Sequence, residues 1–306
     1  MSEPILRVAQ TGLGGSGYRI PTRENGPKDR YIVVGVTTVL KAIDKPAIVQ
    51  WAVDQTAAYA VHNVDAILDR THESGYRFLR FAHVNKPKPG DPLRGYHTKV
   101  LNDAAELGTN THDWIEAYVN GEIPPEYSHP EVEQMADEFL FWLSLHDFKP
   151  ILTEATVFNP EDGYAGTLDL LAWIDGECWL LDIKTSRSTW DEHRSQVAAL
   201  WKSPVWMRQV DKGTEGAAEY TKDGVTTYWV EAPWPEKPTR FGFLHLRPDD
   251  IANDGSPIPA FCELIEIPKE ELPLHYDVFC GALKIKKSQR ELQLLRKSAN
   301  VADEVE

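Results

Sequence analysis

Apolar residues along the chain repeat with two different periods, one typical of helices and the other of strands. Helical spacing predicts a helix that starts near Asp44 with Pro46 in its first turn, where proline is well tolerated. Another predicted helix stops at Asn120-Gly121, a common type of helix end. The predicted helices begin near 44, run over about 98–119, follow Pro130, and span about 190–201 and 274–298.

Shorter apolar runs, rich in β-branched and aromatic residues, predict strands at 31–36, 151–158, 167–174, 178–184, 240–246 and 260–267. Residues 204–238, rich in proline, glycine and charge, are predicted to form an irregular excursion. Together these elements predict one α/β domain over 1–306, with a central mixed sheet flanked by helices. Its core is expected at about 98–203 and 240–267, with helical additions at 36–97 and 274–298.

The charge of the chain argues against nucleic acid as a partner unless it is unevenly distributed. The net charge is −15, from 32 basic and 47 acidic side chains, and such a balance repels nucleic acid. Positive charge is concentrated in 76–99 and 284–297, although either segment alone is also typical of a solvated surface. The candidate nucleic-acid contacts are Arg77, Arg80, Lys86, Lys88, Arg94, Lys99, Lys284, Lys286, Lys287 and Arg290.

The cysteines and the lengths of the apolar segments indicate in which cellular compartment the protein is expected. Cys178, Cys262 and Cys280 are far apart and lack the spacing of a metal site, which favours a reducing cytosol. The N-terminus has no basic segment followed by an apolar run, so no signal peptide is predicted. Charges interrupt the apolar stretches before they reach the ~20 residues that a membrane helix needs. A cytoplasmic protein without a membrane partner is therefore expected.

The dipeptide Asp175-Gly176 between two apolar runs predicts a two-residue β-hairpin, because both central positions of a type I′ turn need positive φ. With these two residues as the loop, Asp169 lies directly opposite Asp182. Opposed residues project from the same face of a hairpin, with Cβ atoms ~4.5–5.5 Å apart. Lys184, two residues beyond Asp182, shares that face.

Two opposed aspartates are unfavourable in a purely structural hairpin. Aspartate is depleted in strands, and like charges that face each other destabilise a sheet. A divalent cation bound by both carboxylates would compensate, and Lys184 would add a further positive charge. The alternative is an exposed sheet face on which two solvated acids pair with the lysine.

Three further polar residues lie where they could join the two aspartates. Glu154 is in the preceding predicted strand, His112 is in the helix predicted over 98–119, and Gln196 is on the helix after Lys184. Neutral imidazole is a metal ligand, although a lone helical histidine is more often packed or on the surface. Taken alone, Gln196 is ordinary for the polar face of a helix.

Read together, these residues resemble the PD-(D/E)XK nuclease superfamily. The matching order is Gly166-Thr-Leu-Asp169, then Asp182-Ile-Lys184-Thr-Ser, then Gln196 on the next helix. Glu154 upstream, and His112 in a Gly-Thr-x-x-His-x-x-Ile-Glu helix, are similar to the RecB-like exonuclease branch. That branch includes phage exonucleases and CRISPR-associated nucleases. The phage-encoded members are also similar at Val36-Thr-Thr-Val-Leu40, Lys45-Pro-Ala and Trp51, so the resemblance covers about 36–203.

The resemblance implies a metal-dependent DNA nuclease with a restriction-endonuclease-like core, and exonuclease action on linear ends rather than endonuclease action. A bound metal would lower the pKa of a water molecule and neutralise charge on the phosphate, and a nearby lysine would offset further charge. Oxygen ligands suit Mg²⁺ or Mn²⁺, and a histidine ligand favours Mn²⁺ slightly. The implied roles are metal ligation by His112, Asp169, Asp182 and the Ile183 carbonyl, catalysis by Lys184, an acid near the metal at Glu154, and positioning by Gln196.

One feature of the CRISPR-associated relatives is missing. They typically carry four cysteines for an iron–sulfur cluster, one before the nuclease core and three after it, whereas this chain has three cysteines and none before the core. A four-cysteine cluster cannot form within one such chain. The expectation is therefore an enzyme without an iron–sulfur cluster, acting in DNA recombination, repair or processing in a bacterial or phage-infected cell.

Other functions remain open from the sequence alone. A nuclease fold that binds DNA or a protein partner without cutting is opposed by the complete set His112, Asp169, Asp182 and Lys184. A hydrolase of small phosphorylated substrates is opposed by the two basic segments. A structure-specific endonuclease cannot be separated from an exonuclease by the order of structural elements.

Overall fold

The computed structural model describes residues 6–8, 16–21, 31–74, 92–252 and 254–303, with only the backbone of 7, 8, 31, 70–74, 92–94 and 297–303. The described helices are α1 (Val36–Leu40), α2 (Pro46–His62), α3 (Val64–Ser74), α4 (Pro92–Val119), α5 (Pro130–Leu145), α6 (Asp191–Trp201) and α7 (Leu272–Asp303). The described strands are β1 (Arg7–Val8), β2 (Gly17–Ile20), β3 (Tyr31–Gly35), β4 (Phe148–Asn159), β5 (Tyr164–Ile174), β6 (Glu177–Lys184), β7 (Val205–Val210), β8 (Ala218–Lys222), β9 (Val225–Pro233), β10 (Arg240–Arg247), β11 (Asp250–Ile251), β12 (Pro257–Ile258) and β13 (Phe261–Glu266).

Eleven of these strands form one mixed sheet, and β11 pairs separately with β12. Across the sheet the order is β13, β10, β6, β5, β4, β7, β9 and β8. In addition, β3 pairs with the first two residues of β5. β6 runs parallel to β10, and β3 runs parallel to β5, while the other neighbours are antiparallel. The predicted α/β class, with a central mixed sheet flanked by helices, is confirmed.

The hairpin of β5 and β6 has the predicted loop and register. Asp175 and Gly176 have φ of 51° and 84°, as a type I′ turn requires. The paired residues run from Ile174–Glu177 to Leu170–Leu181, so the ladder ends one pair before Asp169 and Asp182. The two aspartates therefore lie where the hairpin opens.

The main core lies between this hairpin and helices α1, α6 and α7. It includes Leu168, Leu171 and Leu180 from the hairpin, and Leu200 from α6. Burial of each such side chain contributes about 1.5–3 kcal/mol. Gly166 allows the close approach, because a Cβ there would lie 2.6 Å from Leu200 Cδ2. Packing of Leu200 against β5 also fixes the position of α6, the helix that carries Gln196.

The region 204–238 contradicts the sequence prediction. It is not irregular, since β7, β8 and β9 extend the sheet beyond β4 as an antiparallel unit. Asp223 and Gly224, at φ of 51° and 79°, form a second two-residue hairpin turn between β8 and β9. The prolines, glycines and charges occupy turns and exposed positions, although β9 begins with a continuous run of β-branched and aromatic residues, Val225 to Val230, that is typical of a strand.

Five of the described helices agree with the predicted positions, two of them longer than expected, whereas α1 and α3 were not predicted. α4 starts at Pro92 instead of near 98, which again places a proline at the first helical position. α7 covers 272–303 instead of 274–298. None of the helices in the described part of the chain has the length and apolar character needed to cross a membrane.

The backbone groups into two compact units, residues 1–43 with 110–306, and residues 44–109. The first unit contains the sheet, α1, α5, α6, α7 and the last ten residues of α4. The second unit contains α2, α3 and the first part of α4, and the rings of Tyr59 and Tyr96 lie 4.7 Å apart within it. All residues of the candidate site described next belong to the first unit.

Candidate active site

Side chains from four elements converge where the β5–β6 hairpin opens. Asp169 belongs to β5, Asp182 and Lys184 to β6, Glu154 to β4 and His112 to α4. The backbone amide of Ile183 donates a hydrogen bond of 2.8 Å to the Asp169 carboxylate. This bond takes the place of regular strand pairing at the point where the ladder ends.

A group with the composition of a metal site lies within this cluster. One ligand atom from each of His112, Glu154 and Asp169 lies within 4.8 Å of the others. His112 Nδ1 is 3.7 Å from Asp169 Oδ2. Two ligands of one octahedral Mg²⁺ lie about 3.0–4.2 Å apart, given its short metal–oxygen bonds. Small side-chain rotations would therefore let the three residues share one cation.

Asp182 lies beside this group and is engaged by the protein itself. Gln196 Nε2 donates a hydrogen bond of 2.8 Å to Asp182 Oδ1. The Lys184 ammonium contacts the other carboxylate oxygen, and Asp182 is only 1% exposed. The resemblance implied Asp182 as a ligand, whereas here it connects Lys184 and Gln196. The backbone of Ile183 contacts both Asp169 and His112.

Glu154 adopts a backbone conformation that is unusual for its type. Its φ is 45°, in the left-handed region, although it lies within β4. The neighbours Thr153 and Ala155 pair regularly with Leu170 and Leu168, so Glu154 interrupts the ladder opposite Asp169. Such a conformation costs about 1–2 kcal/mol for an L-residue. Strained residues concentrate at functional sites, and here the strain accompanies a carboxylate within the candidate metal group.

The pKa values of the three carboxyl groups at the site are raised, so that each group loses its proton less easily than in water. Burial and the charge of Asp169 raise the pKa of Glu154 to about 9. Burial, together with Asp169, also raises the pKa of Asp182 to about 6, although Lys184 opposes the shift. Burial raises the pKa of Asp169 as well. A divalent cation would relieve this repulsion, which is the physical basis for regarding the cluster as a metal site.

The two basic side chains of the site, His112 and Lys184, differ in charge. Burial, followed by repulsion from Lys184, lowers the pKa of His112 to about 4. His112 is therefore neutral near neutral pH and has a lone pair available for a metal. Burial disfavours the Lys184 ammonium, but the charges of Asp182 and Asp169 outweigh burial and raise its pKa. The site thus combines a neutral imidazole with a permanent cation.

Glu116 is a residue of this site that the sequence reasoning did not single out. It follows His112 by four residues on α4, and this spacing places both side chains on one face of the helix. Burial, then the charges of Asp113 and other acids including Asp169, raise the pKa of Glu116. The helical spacing from His112 was the signal that would have identified it.

The predicted DNA contacts are only partly within the described residues. Arg77, Arg80, Lys86 and Lys88 lie outside them, as does the side chain of Arg94. Lys99 forms an exposed ion pair with Asp103, at 3.1 Å.

In the second basic segment, on α7, Lys287 contacts the backbone of another element. Lys287 Nζ donates a hydrogen bond of 2.6 Å to the carbonyl of Asp162, in the turn between β4 and β5. This turn is about 17 Å along the strand from Glu154, at 3.3 Å per residue. Lys284, Lys286 and Arg290 are on the same part of α7. The structure therefore brings Lys287 to the far end of the hairpin of β4 and β5, away from the candidate active site.

Comparison with protein-family models and with curated proteins finds no match to this chain.

Proposed function

We propose that this protein is a Mg²⁺- or Mn²⁺-dependent nuclease that hydrolyses phosphodiester bonds in DNA. The observation that carries the proposal is the half-buried group of His112, Glu154 and Asp169 beside the Asp182–Lys184 ion pair. Three neighbouring acids with raised pKa values, one buried and two half-buried, are costly in a folded protein unless a cation accompanies them. The adjoining lysine supports phosphate chemistry, since cation binding alone does not need it.

Each residue has a chemical role in this proposal. A metal held by His112, Glu154 and Asp169 would supply a water of lowered pKa and would neutralise charge on the phosphate. Lys184 presents an ammonium group that orients a water molecule and offsets negative charge as the phosphorus–oxygen bond breaks. Gln196 and Lys184 hold the two oxygens of Asp182, so that the ammonium has a defined position.

The finer parts of the proposal depend on the motif resemblance. We favour exonuclease action on linear DNA ends, in recombination, repair or processing, over structure-specific endonuclease action. The same resemblance, with three cysteines that are free in this structure, supports the cytoplasm of a bacterial or phage-infected cell. Basic side chains in 76–99 and 284–297 remain our candidates for DNA contacts away from the cleavage site.

Cleavage assays test the proposal directly. Labelled linear and covalently closed DNA are incubated with the protein in Mg²⁺, Mn²⁺ or EDTA, in parallel with Asp182→Ala and Lys184→Ala. Glu161→Gln, an exposed acid in the turn between β4 and β5, is the matched control. We expect metal-dependent loss of linear DNA with wild type and with the control, and at least about 100-fold slower loss with the other two variants.

Each other outcome has a definite meaning. Equal degradation by wild type and Asp182→Ala would overturn the assigned site. Cutting of closed circles would show an endonuclease. DNA binding without cleavage in any metal would replace the proposal with a non-catalytic DNA-binding function.

A further inference from the structure

A short segment after Lys184 carries an exposed tryptophan. Residues 185–190 connect Lys184, at the end of β6, to α6, whose Gln196 contacts Asp182. Trp190, directly before α6, is 49% exposed. Tryptophan has a large, rigid aromatic ring, and about half of this side chain is open to a partner.

The segment 185–190 is anchored to the strand next to β6. Arg247, two residues after the partner of Lys184 in β10, donates a hydrogen bond of 2.8 Å to the carbonyl of Thr185. The ring of His245, itself the partner of Lys184, donates through Nε2 to the carbonyl of Ser186 at 2.8 Å. Ser186 Oγ donates in turn to the Ser188 carbonyl at 2.9 Å. Hydrogen bonds therefore hold the backbone of the segment that leads to Trp190.

Charges of both signs flank Trp190 along the chain: Arg187 precedes it, and Asp191 and Glu192 follow it. Arg187 and Arg247 share one carboxylate, that of Asp250, each at 3.1 Å. This trio carries one net positive charge, and Arg187 remains largely exposed. Arg187 offers an exposed cation three residues before the exposed indole, and a cation near an aromatic face fits a polyanion that carries flat, apolar rings.

Trp190 follows Lys184 by six residues, so their Cα atoms lie no more than about 22 Å apart. It precedes Gln196 by six residues, which is about 9 Å along a helix axis. Successive bases of a strand stack at about 3.4 Å. A base on Trp190 would therefore lie within a few nucleotides of a phosphate at Lys184.

We propose that Trp190 is the stacking surface for one base of single-stranded DNA beside the phosphodiester bond that is cut, with Arg187 contacting the backbone of the same strand. The proposal rests on the nuclease function above and adds to it a strand preference and a base contact. A duplex keeps its bases stacked on each other, so only an unpaired or frayed strand offers a free face to the indole. The contact is independent of sequence, because every base has such a face.

A series of abasic oligonucleotides tests the contact. Each single-stranded oligonucleotide lacks one base, and the position of the gap moves along the strand. Affinity is measured by fluorescence anisotropy in Mg²⁺ on the Lys184→Ala background, with and without Trp190→Ala. We expect Trp190→Ala to weaken binding of the intact strand roughly 5- to 150-fold. One gap position is expected to weaken binding with Trp190 present, and to have no further effect once Trp190 is alanine.

Two variants separate stacking from a loss of structure. Trp190→Phe keeps an aromatic face and is expected to retain most of the affinity and the response to the gap position. Phe141→Ala removes another exposed ring, on α5, and is the matched control without an expected effect. Affinity for blunt duplex DNA is expected to change less than affinity for single strands.

The proposal fails if gaps have the same effect with tryptophan and alanine at position 190, or if the protein does not bind single strands. Binding is measured without cleavage, so the result separates this contact from the nuclease function. A gap response that depends on Trp190, in a protein that cuts no DNA, would retain the stacking contact and remove the nuclease proposal. Cleavage that depends on Asp182 without any gap response would do the reverse.

Discussion

Gln196 donates a hydrogen bond of 2.8 Å to Asp182 from a helix that begins seven residues after β6 ends. Asp182 accepts this bond on one oxygen and contacts the Lys184 ammonium with the other. The glutamine thus fixes the rotation of a buried carboxylate that in turn positions the lysine.

We therefore expect Gln196→Ala to lower kcat/KM on linear DNA about 10- to 100-fold, since a hydrogen bond to a charged group contributes about 1.5–3 kcal/mol. Gln196→Glu is expected to be worse, because a second carboxyl would face Asp182. Gln289→Ala, at an exposed position of α7, is the control. Unchanged kinetics in both Gln196 variants would show that the lysine is positioned by other contacts.

The left-handed backbone of Glu154 predicts a difference between two variants that both lack the carboxylate. Glycine adopts positive φ without strain, whereas alanine does not. Glu154→Gly is therefore expected to be more stable than Glu154→Ala by about 1 kcal/mol. Urea unfolding in EDTA measures the difference. Equal stability would mean that position 154 is not strained in solution.

The raised pKa of Glu154 predicts how stability changes with pH. In the absence of metal, the folded protein keeps a proton on Glu154 up to about pH 9, while the unfolded chain loses it above 4.5. The folded state binds more protons between these values, so this group makes stability decrease as pH rises. Asp182, with a pKa raised from 3.8 to about 6, acts in the same direction over a narrower range.

A bound metal should reverse the effect of Glu154 on the pH dependence of stability, because the cation takes the place of the proton. We expect the rise in Tm caused by Mn²⁺ to grow with pH between about 6 and 9. His112, with a pKa of about 4, stays neutral over this range and adds no such dependence. Thermal unfolding in Mn²⁺ and in EDTA, with wild type and Glu154→Gln, measures the effect. A Tm increase that is independent of pH, or that is the same in Glu154→Gln, would exclude Glu154 as a ligand.

The close packing at Gly166 predicts that even one added methyl group destabilises the site. A Cβ there would lie 2.6 Å from Leu200 Cδ2 and 3.0 Å from Val36 Cγ2, so that the Leu200 side chain or α6 itself must move. Gly166→Ala is expected to cost about 1–3 kcal/mol in unfolding free energy. Gly281→Ala is the matched control, because nothing lies within 4 Å of the position that its methyl group would take, and alanine favours a helix. A neutral Gly166→Ala would show that α6 adjusts freely.

Local rules predicted the hairpin well and the region after it poorly. The turn at Asp175-Gly176 and the register up to Leu170–Leu181 follow from two turn residues and alternating side chains. The same type of turn signal is present at Asp223-Gly224, but the prolines and charges around it led to the prediction of an irregular region. Strands that extend a sheet at its edge are half exposed, so their apolar pattern is weak.

The sequence by itself determined the α/β class, the hairpin register and the residue types of the candidate site, because these depend on spacing of a few residues along the chain. Tertiary structure alone decided which atoms meet. It placed His112 and Glu154 next to Asp169, brought Gln196 and Lys184 into contact with Asp182, and left Trp190 exposed before α6. These relations join residues that are far apart in sequence, and depend on how α4 and α6 pack against the sheet. No local period or propensity contains that information.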